Sequence, residues 1–390
     1  MKLRNKIAAL TKRCAMGAGL LFLPVLGLAQ EEEEKIKVSF RSRGLLDASL
    51  SDYDSGKYKS YYRVEDFRVG FKATYDQFEI KVDVGLGGGK VAIKDFFVNY
   101  AFKNSTLSVG NAYEPFSMDM LISTYDMRFN QSASTVLAMT SSRRLGITYH
   151  LHTPKLYYAI GAYSDNDINK LGSSELKQAY AATTRLVYRP VRETEQLVHI
   201  GGALSLRTPD SEEKNTASYR STSISSCGVT SMFGENLLSA EVTESRLQVK
   251  SLIELLVYHR KFLFQTEYMR SDVRRHSALP TYSGQGAYLQ MCYLLRGKTY
   301  GYDEAYAIPT RPVDKGAVEL AFRLNHADLN DAKSAIYGGR HTDLSLGVNY
   351  YFNSYLSVKL NGSYTLTDKH CNSYYQKDFF LMQTRLQYIF

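Results

Sequence analysis

Hydrophobic and polar residues alternate along most of this chain with a period of two. In residues 67–73, Phe67 and Val69 fall on one face, while Arg68 and Lys72 fall on the other. A period of two belongs to an extended strand, because successive side chains of a strand point to opposite faces. The same alternation returns in residues 78–85, 144–150, 180–188, 197–207, 316–325, 341–351, 355–366 and 380–390. The pattern therefore predicts an all-β protein.

Two all-β architectures alternate in this way, a soluble sandwich and a transmembrane barrel. The barrel is favoured because the chain ends on a strand whose last residue is Phe390, and because Tyr and Phe lie near many strand ends, where interfacial girdles form. The polar faces also carry both signs of charge, which suits a wet lumen. We expect a transmembrane antiparallel β-barrel with short turns at one end and long loops at the other. The pattern alone gives sixteen to eighteen strands, since turn signals are weak in residues 208–252.

The N-terminal segment has the organisation of a secretory signal. Lys2, Arg4 and Lys6 open a basic region, and an apolar stretch follows in residues 15–28. Small residues before position 30 fit signal-peptidase cleavage ahead of Gln30. We expect residues 1–29 to be a signal peptide and residues 30–390 to form one outer-membrane barrel domain.

Composition and charge exclude several classes of protein. The chain has 390 residues and a formal net charge of +9. Five of the positive charges lie in the N-terminal segment, so the basic balance does not imply a nucleic-acid partner. Beyond that segment no run approaches the roughly 18 apolar residues of a membrane-spanning helix, which excludes a helical transporter.

Signals for an enzyme are weak. His150 and His152 share a strand face, as do His341 and Asp343. Such pairs could begin a metal or acid–base site, but no third ligand or nucleophile accompanies them. We therefore expect no catalytic site, no metal site and no cofactor.

The longest early interruption of the strand pattern lies in residues 112–142. It carries Glu114, Asp119 and Asp126 against Arg128 alone. Long loops of wide barrels often fold inward and narrow the pore. The pattern by itself leaves an inward loop and a surface loop equally open.

Short sequence blocks follow one another in a fixed order through the chain. They are residues 94–100 (KDFFVNY), 107–110, 114–117 (EPFS), 143–146 (RRLG), 262–268 (FLFQTEY), 286–297, 316–323, 346–351 and 385–387. This ordered set resembles the phosphate-selective porin O and P family of outer-membrane channels. The resemblance implies a sixteen-stranded homotrimeric porin in the outer membrane of a Gram-negative bacterium, with the loop near residues 112–142 folded into the lumen.

The resemblance and the residues together suggest a function. Strand parity places nine basic side chains on inner faces, as pore-lining candidates: Arg68, Lys72, Lys81, Arg144, Arg185, Arg207, Arg323, Lys359 and Arg385. The candidates for the constriction loop are Glu114, Asp119, Asp126 and Arg128. This set contains three acidic residues and one basic residue, and phosphate selectivity requires a more basic constriction. We expect passive diffusion of small hydrophilic solutes with a mild preference for anions, phosphate among them, and contact with outer-membrane lipid. The alternatives are a non-conducting barrel that serves as adhesin or envelope scaffold, and a barrel enzyme.

Overall fold

The computed structural model describes residues 36–54, 57–87, 91–164, 168–170, 179–209, 221–276, 278–372 and 378–390. The predicted signal peptide lies outside these ranges. Among the helices within them, none has the length and apolar character needed to cross a membrane.

Sixteen antiparallel strands close into one barrel, which confirms the predicted fold. Closure is made by the first and last strands, where Arg43 pairs with Ile389 and Ser51 with Leu381. The barrel strands are β1 (Lys37–Asp54), β2 (Lys57–Tyr75), β3 (Phe78–Gly85), β4 (Ala92–Ala101), β5 (Ser105–Tyr113), β6 (Arg143–His152), β7 (Leu156–Ser164), β8 (Tyr180–Arg192), β9 (Gln196–Arg207), β12 (Ser245–His259), β13 (Phe262–Arg275), β14 (Tyr282–Arg296), β17 (Ala317–Asp331), β18 (Ile336–Tyr351), β19 (Leu356–Thr367) and β20 (Phe379–Ile389).

The remaining elements are short and belong to the connections. Strands β10 (Thr222–Ser226) and β11 (Leu238–Val242) pair with each other, as do β15 (Tyr300–Asp303) and β16 (Ile308–Pro312). Helices α1 (Met118–Leu121) and α2 (Ser134–Met139) lie in the segment after β5, and a 3₁₀ turn covers Ile168–Lys170. The long interruption seen in the sequence therefore contains two helical turns.

The two ends of the barrel differ in their connections. At the turn end, most strands are joined by two to four residues, as at 76–77, 153–155 and 260–261. At the loop end lie the long segments 114–142 and 208–244. One connection departs from the expectation of short turns at this end. Residues 297–316 join β14 to β17 at the turn end, and they form a long segment that contains the hairpin β15–β16.

The barrel strands separate apolar from polar side chains as the period of two requires. On β17 and β18, Leu320 is 40% and Leu346 60% exposed on the outer face. Arg323 and Asn349 lie on the inner face and are almost completely buried. An apolar outer face and a polar interior are typical of a barrel that is surrounded by lipid.

We expect charge on the outer face to be tolerated according to depth. Leu346 lies midway along β18, whereas Leu295, also exposed, lies at the turn end of β14. Leu346→Arg should lower the free energy of unfolding in lipid vesicles by roughly 2–4 kcal/mol, and the matched control Leu295→Arg by about 0–1 kcal/mol. Reversible urea unfolding measures both values. Equal losses, or a larger loss at position 295, would contradict the outward placement of the apolar face.

Candidate functional site

Three inserted segments occupy one side of the lumen. They are the inward loop (residues 114–142), the upper hairpin (β10 and β11, from the loop end) and the lower hairpin (β15 and β16, from the turn end). Ser134 of the inward loop contacts Ser226 of the upper hairpin, with 2.8 Å between the hydroxyl oxygens. Arg128 of the loop donates to the carbonyl oxygen of Thr310 in the lower hairpin, at 2.7 Å. Protein thus crosses the lumen, as expected for the inward loop, and any solute path runs beside these segments.

Two carboxylates hold the start of the inward loop. Glu114, the first residue of the loop, accepts a hydrogen bond from Arg207 of β9. Glu267 of β13 accepts from the backbone N–H of Met118 at 2.8 Å and from the Ser117 hydroxyl at 3.1 Å. The first backbone N–H groups of a helix have no partner within the helix, so the Glu267 carboxylate satisfies donors that would otherwise be buried unpaired.

Cationic wall residues hold the rest of the inward loop by its carbonyl groups. Lys359 of β19 donates from Nζ to the carbonyl oxygen of Met127. Arg323 of β17 donates to the carbonyl oxygen of Gln131 at 2.9 Å and lies over the ring of Phe129. A loop inside a barrel has few backbone partners of its own, so these wall cations provide the hydrogen bonds that a sheet would supply.

The lower hairpin is held by arginines of the adjacent wall. Arg185 of β8 donates to the carbonyl oxygen of Ala307 at 2.9 Å and pairs with Glu254 of β12 at 2.9 Å. Glu304 of the hairpin pairs with Arg189 at 2.5 Å. Because Arg185 and Glu254 are fully buried, each compensates the charge of the other.

The segment between β10 and β11 of the upper hairpin contacts β2. Arg63 donates to the Ser231 hydroxyl at 2.6 Å and to the Ser231 carbonyl oxygen at 3.0 Å. The rings of Tyr61 and Phe233 lie 5.4 Å apart. The tip of the upper hairpin is therefore fastened above the inner surface of β2.

The inner surface of β1–β6 carries a charge cluster, here called the basic wall. It consists of Arg41, Arg43, Arg68, Lys81, Lys94 and Arg143 with the carboxylates Asp66, Asp83 and Asp95. Each carboxylate is shared by two cations: Asp66 by Arg43 (2.7 Å) and Arg68 (3.0 Å), Asp83 by Arg41 (2.9 Å) and Lys81 (3.6 Å), and Asp95 by Lys81 (2.7 Å) and Arg143. Six cations around three carboxylates leave an excess of three positive charges.

The basic wall extends into a cavity of about 210 Å³ at the turn end. Arg43 of β1 and Arg311 of the lower hairpin both lie over the ring of Tyr125, at 5.8 and 5.5 Å from its centre. Arg41 and Arg68 also line the cavity, which ends beside the C-terminal Phe390. Four arginines line this cavity, and Asp83 is the acidic side chain among its lining residues.

Four of the nine basic residues expected from parity lie on β2, β3 and β6. Arg68 and Lys81 belong to the basic wall. Lys72 of β2 pairs with Glu79 at 2.5 Å, and its side chain is 39% exposed. Arg144 donates to the Ser142 hydroxyl at 3.0 Å, beside the end of the inward loop.

The other five lie in buried contacts with the inserted segments or with the wall itself: Arg185, Arg207, Arg323, Lys359 and Arg385. Arg385 makes a bidentate contact with Asp47, at 2.6 and 2.7 Å. The four constriction candidates, Glu114, Asp119, Asp126 and Arg128, are each less than 9% exposed. Glu114, Asp126 and Arg128 pair with Arg207, Arg311 and Glu319 of the wall or the lower hairpin, whereas Asp119 accepts a hydrogen bond from the backbone N–H of Ala133 in the loop itself.

Sequence reasoning missed Arg41, Arg43, Lys94 and Arg143. The first two alternate with Ser42 on β1, so the period of two could have found them. Arg143 does not follow the alternation of its strand. Its neighbour Arg144 occupies the inward position, but Arg143 also contacts two groups of the interior, Asp95 and the Tyr113 ring. No pattern within one strand signals that contact.

The histidine pairs seen in the sequence also lie in the interior. His341 contacts the Ser134 hydroxyl at 2.7 Å, and its other ring nitrogen lies 3.8 Å from Asp343. This order of groups matches a serine hydrolase, but 3.8 Å is too long for the hydrogen bond that orients the imidazole, and all three residues are buried. The contact fixes α2 against the wall. His150 contacts the Tyr157 hydroxyl at 3.0 Å.

Burial sets the ionisation of the loop carboxylates. Desolvation raises the pKa of Asp119 above its usual range, although Arg323 acts in the opposite direction. Desolvation likewise raises the pKa of Asp126, opposed by Arg311. A carboxyl group with a raised pKa binds its proton more readily in the packed loop than in a loop exposed to water.

The family model for phosphate-selective porin O and P matches residues 38–390 of this chain. A relative from Caulobacter vibrioides is 24% identical over 329 residues. The match covers 77% of this chain and 63% of the relative, so the chain spans less than two thirds of the relative's length.

Solved structures of outer-membrane proteins share the fold. The anion-selective porin from Comamonas acidovorans has a TM-score of 0.59 at 9% identity, covering 91% of this chain and 100% of its own. OmpT of Vibrio cholerae in its trimer form has a TM-score of 0.57 at 12% identity, covering 91% and 99%. The outer membrane channel DcaP of Acinetobacter baumannii has a TM-score of 0.57 at 9% identity, covering 92% and 99%. At these identities the likeness concerns the fold.

We expect Lys359→Met to release the inward loop. The substitution keeps the length of the side chain but removes the charged donor to Met127, a contact of about 1.5–3 kcal/mol. Proteolysis within residues 122–131 should accelerate by roughly 10- to 100-fold, since cleavage follows the population of the open loop. Lys261→Met, at an exposed turn, is the control. Equal cleavage of both variants and the wild type would show that Lys359 does not hold the loop.

We also expect the inward loop to pack more firmly in acid. Because the pKa of Asp119 is raised in the packed loop, stability is lost as pH rises through that pKa and regained as pH falls toward the ordinary aspartate range near 4. Hydrogen-exchange protection factors of residues 118–139 should therefore rise as pH falls toward 4. Asp119→Asn should flatten this change. Protection that falls on acidification would contradict the assignment.

Proposed function

The chain belongs to the phosphate-selective porin O and P family and is therefore an outer-membrane porin. On this premise we propose that it passes small hydrophilic solutes by passive diffusion, with a mild preference for anions. The fold and family favour a channel over an enzyme. The observation that carries the anion preference is the basic wall, where six cations surround three carboxylates. No catalytic step is needed, because selective diffusion requires only a water-filled path and the electrostatic field of the charges along it.

The position of the basic wall supports this function. The inserted segments pack mainly against β8–β20, where the wall charges are buried and paired, and they also contact β1 and β2 through Tyr125 and Ser231. Water reaches the cations of the basic wall unevenly: the side chain of Arg41 is 41% exposed and that of Lys81 20%, whereas those of Arg43, Arg68 and Arg143 are 10–17% exposed. Low-dielectric walls strengthen the field of such charges, so anions should be concentrated along this surface.

The ion pairs of the basic wall favour only a mild preference for anions. Each guanidinium or ammonium group named in the ion pairs of the basic wall already contacts an aspartate. A passing phosphate would compete with these carboxylates for the bidentate face of arginine. Weak and repeated contacts favour conduction over tight binding. Phosphate is thus one permeant anion among several, with only weak block of chloride current.

Export and assembly complete the proposal. Residues 1–29 would act as a signal peptide cleaved before Gln30, and residues 30–390 would form the barrel in the outer membrane. The proposed assembly is a homotrimer, the form named for OmpT of Vibrio cholerae. Cross-linking of the purified channel in mild detergent would test it.

We expect the selectivity of the channel to follow the basic wall. Arg43→Gln, Arg68→Gln and Arg143→Gln together remove three charges and bring the six-to-three excess of the cluster to zero. Reversal potentials across a salt gradient in planar bilayers should move from anion preference toward cation preference, and high salt should shrink the difference by screening. The matched control removes three outer-face arginines of β12 and β13, through Arg246→Gln, Arg270→Gln and Arg274→Gln.

Four results would contradict the proposal. A wild-type channel that prefers cations at low salt would remove the role of the basic wall, as would an equal shift in the outer-face control. Tight block of chloride current by phosphate would show that the aspartates do not limit anion binding. A folded, heat-modifiable barrel that never conducts would instead favour the scaffold or adhesin alternative.

A further inference from the structure

The outer face of the barrel is not uniformly apolar. On β13, Arg270, Asp272 and Arg274 occupy successive outward positions, since the intervening Ser271 and Val273 are fully buried inside. Gln285 of the neighbouring strand pairs in register with Arg270. Arg246 lies exposed in a bulge of β12 opposite the end of β13. We call Arg246, Arg270 and Arg274 the outer arginines.

The outer arginines lie at the upper edge of the apolar band, Arg274 beyond it and Arg270 just inside it. Counted from Phe262, an exposed aromatic residue at the turn end, Arg270 is eight residues and Arg274 twelve residues along β13. At about 3.3 Å per residue and a tilt of about 45°, these positions rise about 19 and 28 Å, across an apolar band about 25 Å tall. The guanidinium groups can therefore reach the head-group layer of the leaflet at the loop end.

Two strands farther along the barrel are apolar at the same height. Eight residues from the turn-end aromatic Tyr388, β20 presents Phe380, and eight residues from Leu356, β19 presents Tyr364. Phe380 and Tyr364 are 37% and 48% exposed on the outer face. The polar surface continues onto β17 and β18, where Asp328 pairs in register with Gln285 and Arg340, and it ends before β19 and β20.

Charge at this surface is only partly compensated. Arg270 pairs with Asp272 at 2.9 Å. On the next strands, Arg340 lies 4.0 Å from Asp328, which forms a second weak pair. Within the described ranges, Arg246 and Arg274 have no carboxylate partner. The four arginines and two aspartates leave two positive charges beside lipid, where an unpaired charge is costly.

We propose that the outer arginines bind the phosphate groups of phosphorylated glycolipid in the outer leaflet of the membrane. Long loops mark the loop end as extracellular, and the extracellular leaflet of a Gram-negative outer membrane is built from such glycolipid. Lipid phosphates supply the anions that Arg246 and Arg274 lack, while the acyl chains lie along Leu247 and Val249 of β12. This site lies on the lipid side of the wall and is separate from the solute path.

The test uses the purified channel in a neutral detergent and titrates diphosphorylated lipid A by native mass spectrometry. Arg246→Gln, Arg270→Gln and Arg274→Gln together should weaken binding by at least about tenfold. The matched control removes three cations at the turn end of the same strands, through Lys261→Gln, Arg296→Gln and Lys298→Gln, and should bind as the wild type does. Chemically dephosphorylated lipid A should bind the wild type and the triple variant equally weakly.

Each remaining outcome is decisive. Equal binding of diphosphorylated lipid A by the wild type and the triple variant would overturn the proposal, and so would equal affinity for the dephosphorylated lipid. Loss of subunit association with unchanged lipid binding would assign the surface to a protein partner instead. If the triple variant fails to fold, the wild type still decides: affinity for diphosphorylated lipid A must fall as salt rises, and salt-independent binding would contradict a phosphate site.

Discussion

The need to pair every backbone N–H and C=O group in hydrocarbon is the constraint on which the structure depends. A strand exposed to lipid meets this need only when the sheet closes, and pairing of β1 with β20 closes it here. Closure leaves two surfaces, an outer one in lipid and an inner one, and the period of two assigns each side chain to one of them. The polar interior, and all chemistry that it can perform, follows from this assignment.

Charge pairing then divides the interior into two parts. On the side filled by the inserted segments, cations such as Arg185 and Lys359 are buried and contact a carboxylate or a loop carbonyl, because an unpaired buried charge costs several kcal/mol. On the basic wall, each aspartate is shared by two cations, and positive charge remains in excess. The excess positive charge is found where side chains still reach water, because hydration there keeps the desolvation free energy of an unpaired charge small. Structural cations and the cations that we propose to act in permeation therefore lie on different parts of one wall.

Much of the fold could be predicted because its signals are local. The alternation around Leu320 and Arg323 identifies a strand and both its faces from a few residues, and the terminal Phe390 supports a membrane barrel. Contacts between distant segments could not be predicted in the same way. The lower hairpin is positioned by Arg185 and Arg128, more than 100 residues away in sequence. Parity identified inward residues such as Arg323 correctly as interior, but it could not tell a wall that an inserted segment covers from a wall that water reaches.

The proposed function requires that solutes pass along β1–β6 and not along β17–β20. Thiol modification during single-channel recording tests this most directly, in a background where Cys227, Cys292 and Cys371 are replaced by Ser. Lys72→Cys places a thiol on the open inner surface of β2, and Ser345→Cys places one on the buried inner surface of β18. A methanethiosulfonate reagent should reduce the current of the first variant and leave that of the second unchanged. A current reduced only in the second variant would place the path on the other side of the barrel and contradict the account.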